Sequence, residues 1–109
     1  MVVKEISENE FEKEALESNM PVIVDFFANW CGPCVMLKPI FKEVSDEFTD
    51  KMKFLTINTD NAKNISSKYS IDGIPCLIVF NNGAEVDRIV GYLEKEELIE
   101  AINSILNKI

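Results

Sequence analysis

The stretch Val22-Ile23-Val24-Asp25-Phe26-Phe27 is apolar but for one acid, and Trp30-Cys31-Gly32-Pro33-Cys34 follows it after only two residues. No other part of the chain restricts the fold as much. A continuous run of β-branched and aromatic residues reads as a central strand covered on both faces. Directly after the cysteines, Leu37, Ile40, Phe41, Val44 and Phe48 recur at helical spacing. The two thiols are therefore expected where a buried strand ends and a helix begins.

That location has chemical consequences. Side chains three apart on a helix share a face, close enough for a disulfide with little backbone movement. A helix N-terminus carries partial positive charge and unsatisfied N–H groups, so it stabilises an anion such as a thiolate. The thiolate is the attacking species in disulfide exchange. Cys31, at about the N-cap, gains this benefit, and Cys34 lies inside the first turn. The pattern predicts an exposed nucleophile and a shielded second thiol. Pro33 fits the first turn, where its missing N–H costs little. Taken alone, C-x-x-C is open to three readings: half a zinc site, a structural disulfide or a redox pair.

Composition narrows the context. A chain of 109 residues, 47 % hydrophobic and 28 % charged, suffices for one domain over 1–109 with its own core. Its net charge of −8 argues against nucleic-acid binding, which needs a basic surface. The excess acid sits on two expected helices (Glu8 to Glu17 and Glu94 to Glu100) and reads as solvated faces. Three cysteines are too few for a disulfide-stapled scaffold. The polar start, Met1 to Glu10, is unlike a signal peptide, and the longest apolar run is too short to span a membrane. The expectation is a cytoplasmic protein in a reducing compartment, where such a pair is catalytic or metal-binding more often than structural.

The rest of the chain supplies alternating elements. Val2 to Ile6 is a short strand candidate, and Ser7 with Glu10 reads as a capping box before a helix carrying Phe11, Ala15 and Leu16 on one side. Pro39 falls inside the second helix, where a kink is expected. Lys53 to Asn58 reads as a strand, and Asp60 as the cap of a short helix with Ala62, Ile65 and Tyr69 inward. Leu77 to Phe80 and Glu85 to Val90 flank Asn81-Asn82-Gly83, a hairpin turn signal. A last helix, Glu94 to Asn107, turns Leu98, Ile102, Ile105 and Leu106 inward. The order β-α-β-α-β-α-β-β-α implies an α/β fold, a mixed central sheet with helices on both faces.

The stretch Asp25-Phe26-Phe27-Ala28-Asn29-Trp30-Cys31-Gly32-Pro33-Cys34 resembles the thioredoxin family's Asp-Phe-x-Ala-x-Trp-Cys-Gly-Pro-Cys. Pro39, Gly73-Ile74-Pro75, Asn82-Gly83 and Gly91 match the family's helix proline, cis-proline loop, hairpin and late glycine, so the resemblance spans essentially the whole chain. Three positions depart from it: Thr56 stands where a lysine is usual, Cys76 where threonine follows the cis-proline, and Phe27 where a second tryptophan is common.

The resemblance implies a thioredoxin fold and a dithiol–disulfide oxidoreductase that reduces protein disulfides. Cys31 attacks and Cys34 resolves, with Gly32-Pro33 forming the turn between them. Asp25, buried behind Cys34, is the candidate acid/base, and with Thr56 in place of lysine its pKa is expected to be high. Pro75 is expected to be cis. Trp30, Gly32, Ile74, Pro75 and Gly91 form the implied docking patch, with Ile74 offering its backbone to an extended substrate. Cys76 reads either as a small buried hydrophobe or as a third thiol that joins exchange. No cofactor is implied beyond the cysteine pair, there being no G-x-G-x-x-G. Electrons then come from a thioredoxin reductase, and the partners are that enzyme and disulfide-containing proteins, met by a monomer. Two other functions stay open: a non-catalytic binding module using the same patch, and metal or cluster carriage through the thiols, which without His falls a ligand short for zinc.

Overall fold

A computed structural model describes residues 3–109, and in it all six side chains of strand β2 (Val22–Phe27) are buried. β2 is the middle of five strands in the order β1-β3-β2-β4-β5, with β1 at Lys4–Ile6, β3 at Lys53–Asn58, β4 at Cys76–Asn81 and β5 at Ala84–Val90. β1 and β2 run parallel to β3; β4 is antiparallel to β2, and β5 to β4. The sheet is therefore mixed, as expected. The part of the first strand candidate at Val2 lies outside the described residues.

Alternation along β2 divides the core into two layers. Val22, Val24 and Phe26 join Phe11, Leu55, Ile57, Ile78 and Phe80 on one face. There the Phe11 and Phe80 rings meet edge to face at 5.5 Å, and Tyr69 packs on Phe80 at 5.3 Å. Ile23 joins Phe54, Leu77 and Val79 on the other, under helices α1 (Gly32–Ser45) and α3 (Lys95–Leu106). α1 presents Leu37, Phe41 and Val44 to the sheet, and α3 presents Leu98, Ile102 and Ile105. Both stripes follow from apolar residues three and four apart. α1 is continuous through Pro39, so the proline does not divide it.

Two local expectations need correction. The segment after Ser7 is not an α-helix: it is a tight turn at Glu8–Glu10 followed by one wide turn at Glu12–Leu16, closed by Glu17 N–H to Glu12 O at 3.0 Å. Phe11, Ala15 and Leu16 are spaced four and five apart, and a turn closed five residues back brings that spacing to one side. The capping interaction itself is present, with the Glu10 carboxylate accepting Ser7 N–H at 2.9 Å. Asp60 does not cap α2 (Lys63–Lys68), because it lies within a separate turn, Thr59–Asn61. α2 instead receives Glu8, whose Oε2 accepts Ile65 N–H at 2.7 Å across 57 residues. A carboxylate from elsewhere in the fold satisfies the same orphan donor that a local cap would.

The hairpin obeys its turn chemistry. Asn82 and Gly83 both have positive φ, 54° and 81°, as a two-residue turn between right-twisted strands requires.

Candidate active site

The site forms where β2 runs out. Cys31 is the N-cap residue of α1, in extended conformation, and its Sγ accepts the Cys34 N–H at 3.2 Å. Gly32, Pro33 and Cys34 make the first turn, which brings the two cysteines to a Cα separation of 5.2 Å, and they are joined as a disulfide. Proline is tolerated there because the first N–H groups of a helix lack internal partners anyway.

Cys31 is less open than its position at the helix start suggests. It is 6 % exposed and Cys34 3 %, so in the disulfide state both sulfurs are shielded, and the expected contrast between them is small. The reason is tertiary: Phe27, Ala28 and Ile74 close around the pair. Ile74 comes from the loop before β4, and its carbonyl O lies 3.7 Å from Cys31 Sγ. The Ile74–Pro75 bond is cis. Gly91 N–H donates to Pro75 O at 2.8 Å, which ties the end of β5 to this loop. Gly91 has φ 101°, a conformation that favours glycine. Cys31, Ile74, Pro75 and Gly91 thus meet from three parts of the chain.

Trp30 stands beside them, 72 % exposed and so not part of the core. Its indole N–H donates to Asp60 Oδ2 at 3.0 Å. Asp60 is held in turn by its own N–H, which donates to Asn58 Oδ1 at 2.9 Å, and Thr59 Oγ1–H donates to Phe27 O at 3.2 Å. Sequence reasoning placed Asp60 at a helix start and missed this contact, since nothing local links positions thirty apart.

Behind the cysteines, Asp25 is 2 % exposed and its Oδ1 has no hydrogen-bond partner among the described residues. It lines a cavity of about 130 Å³ with Phe27, Ala28, Asn29, Cys34, Val35, Lys38 and Thr56. Burial raises its pKa from 3.8 to about 7, and Lys38 opposes the rise. A buried charge costs free energy unless it is paired, so the carboxyl holds its proton longer. Thr56 indeed brings no cation from β3. Lys38 was overlooked in the sequence, although it lies four residues after Cys34 and so on the same helix face.

Cys76 is 1 % exposed and belongs to the opposite, apolar layer with Phe26 and Phe80. Burial raises its pKa. A buried, protonated thiol is a poor nucleophile. Among the described residues no three or more His, Cys, Asp or Glu side chains gather as a metal-binding group.

Comparison with known proteins agrees with this geometry. The family model described as Thioredoxin matches residues 2–104. The chain belongs to the thioredoxin family. It is 46 % identical over 98 residues to a thioredoxin of Rickettsia felis, covering 90 % of this chain and 93 % of that one. It is 38 % identical over 105 residues to thioredoxin 1 of Synechococcus elongatus, covering 96 % and 98 %. Over 102 residues it is 37 % identical to a chloroplastic M-type thioredoxin of Chlamydomonas reinhardtii, covering 94 % and 73 %. As a thioredoxin-family protein it is a dithiol–disulfide oxidoreductase, and the cysteine pair itself is the redox centre. Among the described residues no helix is long and apolar enough to cross a membrane.

Proposed function

We propose that Cys31 is the attacking thiolate and Cys34 the resolving thiol in the reduction of protein disulfides. The observation that carries this reading is the N-cap position of Cys31, with Cys34 N–H directed at its sulfur at 3.2 Å. Donors and dipole at a helix start favour the thiolate there. Cys31 attacks one sulfur of a substrate disulfide, forming a mixed disulfide and expelling the other substrate sulfur as a thiolate, which takes a proton from water. Cys34 then attacks Cys31 Sγ, breaks the mixed disulfide and releases the second substrate thiol. Two electrons have passed to the substrate, leaving the Cys31–Cys34 disulfide.

Asp25 accepts the Cys34 proton through water in the second step. Its pKa near 7 suits proton exchange at neutral pH, and both groups line one cavity. Gly32 and Pro33 hold the turn, while Trp30, Ile74, Pro75 and Gly91 receive an extended substrate segment. In that arrangement the Ile74 carbonyl, already directed at Cys31, pairs with substrate backbone. A thioredoxin reductase returns the electrons, and the working compartment is the cytoplasm. The absence of a dinucleotide-binding motif from the sequence supports a separate reductase.

Insulin reduction driven by dithiothreitol tests the assignment. Wild type should accelerate it and Cys34→Ser should not. Cys34→Ser should also accumulate a mixed disulfide on Cys31, detectable by mass. A trapped species on Cys34 in Cys31→Ser, with none on Cys31 in the reverse variant, would invert the roles.

A further inference from the structure

We propose that Lys38 is a positioning residue for the proton on Asp25, a cation carried by α1 on the wall of the cavity that the carboxyl lines. Three observations meet here. Lys38 lines the same cavity as Asp25, Cys34 and Thr56. Its Nζ lies 5.5 Å from the centroid of the Phe27 ring, which holds the ammonium against the cavity wall. Among the described residues it makes no salt bridge, so its charge is not spent on a nearer carboxylate. The lowering effect of Lys38 on the Asp25 pKa agrees with this geometry.

The surroundings leave few rivals. Asp25 pairs in register with Thr56 on β3 and Leu77 on β4, neither of which is charged. One strand further out, Glu5 pairs with Thr56 and so lies on the same face, where it lines an outer groove together with Lys38. Lys42, one turn along α1, lines the outer groove with Glu5 and Lys38 and does not line the Asp25 cavity. Cys34, disulfide-bonded and so uncharged here, shares the cavity, and Cys76 sits on the other face of the sheet with Phe26. α3 contributes the apolar Leu98, Ile102 and Ile105 to this side.

Lys38 is exposed, so its action on Asp25 is subject to screening by salt. The consequence for turnover rests on the proposed proton transfer to Asp25; the electrostatic effect does not. The test is the titration of the Asp25 carboxyl carbon by NMR at low salt. Lys38→Met should raise the midpoint by about half a pH unit or more. Lys38→Arg, which keeps the charge, should stay with wild type. In about 1 M salt, where the Debye length falls to ~3 Å, the gap between Lys38→Met and wild type should close. An unmoved midpoint in Lys38→Met overturns the proposal, as does an equal shift in Lys38→Arg, which would make packing on Phe27 the cause. The pH profile of Cys34 attack, measured in Lys38→Met and Asp25→Asn, separates the two readings. A carbon shift confirmed by NMR alongside an Asp25→Asn profile equal to wild type supports Lys38's effect on Asp25 and removes Asp25 from turnover.

Discussion

The two faces of β2 do opposite things with the same degree of burial. Val22, Val24 and Phe26 enter a layer whose members are apolar apart from the thiol of Cys76. On the other face, Ile23 is followed by Asp25, as buried as its neighbours but carrying a carboxyl oxygen without a partner. One face gains free energy from every residue; the other gives some up at a single position. The position that gives it up is the one behind Cys34. Under the proposed mechanism, strand alternation separates stability from reactivity, a single step along the strand from Val24 to Asp25 being enough to move from one regime to the other.

The comparison is broken most severely by opening the apolar layer. Phe80→Ala should cost about 3–5 kcal/mol, by lost burial and the cavity left among Phe11, Phe26 and Tyr69. The loss should be the same at acid and alkaline pH in denaturant titrations. Insulin reduction per folded molecule should be retained. A large drop in that specific rate would show that the layers are coupled.

Asp25→Asn should act with the opposite sign. The native carboxyl keeps its proton up to about pH 7, whereas the unfolded one loses it near 3.8. Between these values the native state binds more protons, so stability falls as pH rises. The shift is about three pH units at 1.36 kcal/mol each, or at most ~4 kcal/mol. Asp25→Asn should therefore stabilise the protein above about pH 7 and change little below about pH 4, while slowing Cys34 attack. Chemical denaturation at the two extremes decides it; a pH-independent ΔΔG would mean that the carboxyl is not the cause.

The smallest effect sharpens the contrast. Cys76→Ser puts a more polar hydroxyl at a buried position within reach of the Arg88 guanidinium and should cost about 1 kcal/mol. Its insulin reduction rate should equal wild type, because the thiol is buried and its pKa raised. A changed rate would place the third thiol in the exchange.

Short-range features were legible in the sequence. β2, the start of α1 at Cys31, the Asn82-Gly83 turn and the Ser7–Glu10 interaction each depend on neighbours a few positions apart. Where a single segment could satisfy its spacing in more than one way, the reading failed. Phe11, Ala15 and Leu16 suit a wide turn as well as an α-helix, and packing chose the former. Asp60 resembles a cap, yet Glu8 performs that task and Asp60 holds Trp30. The shielding of Cys31 was likewise invisible, since Ile74 arrives from 43 positions away.

The sequence by itself determined that a buried strand would deliver two thiols to a helix N-terminus with one acid in the strand behind them. Apolar periodicity and the dihedral preferences of Gly, Pro and Asn act locally, so they can be read without the fold. Only the tertiary structure decided what surrounds those thiols. Strand order, register and helix packing bring Asp25 level with Thr56, set the Ile74 carbonyl against Cys31, and place Lys38 on the wall of the cavity that Asp25 lines with Thr56 and Cys34. Those meetings depend on how separate elements pack, and no local preference encodes them.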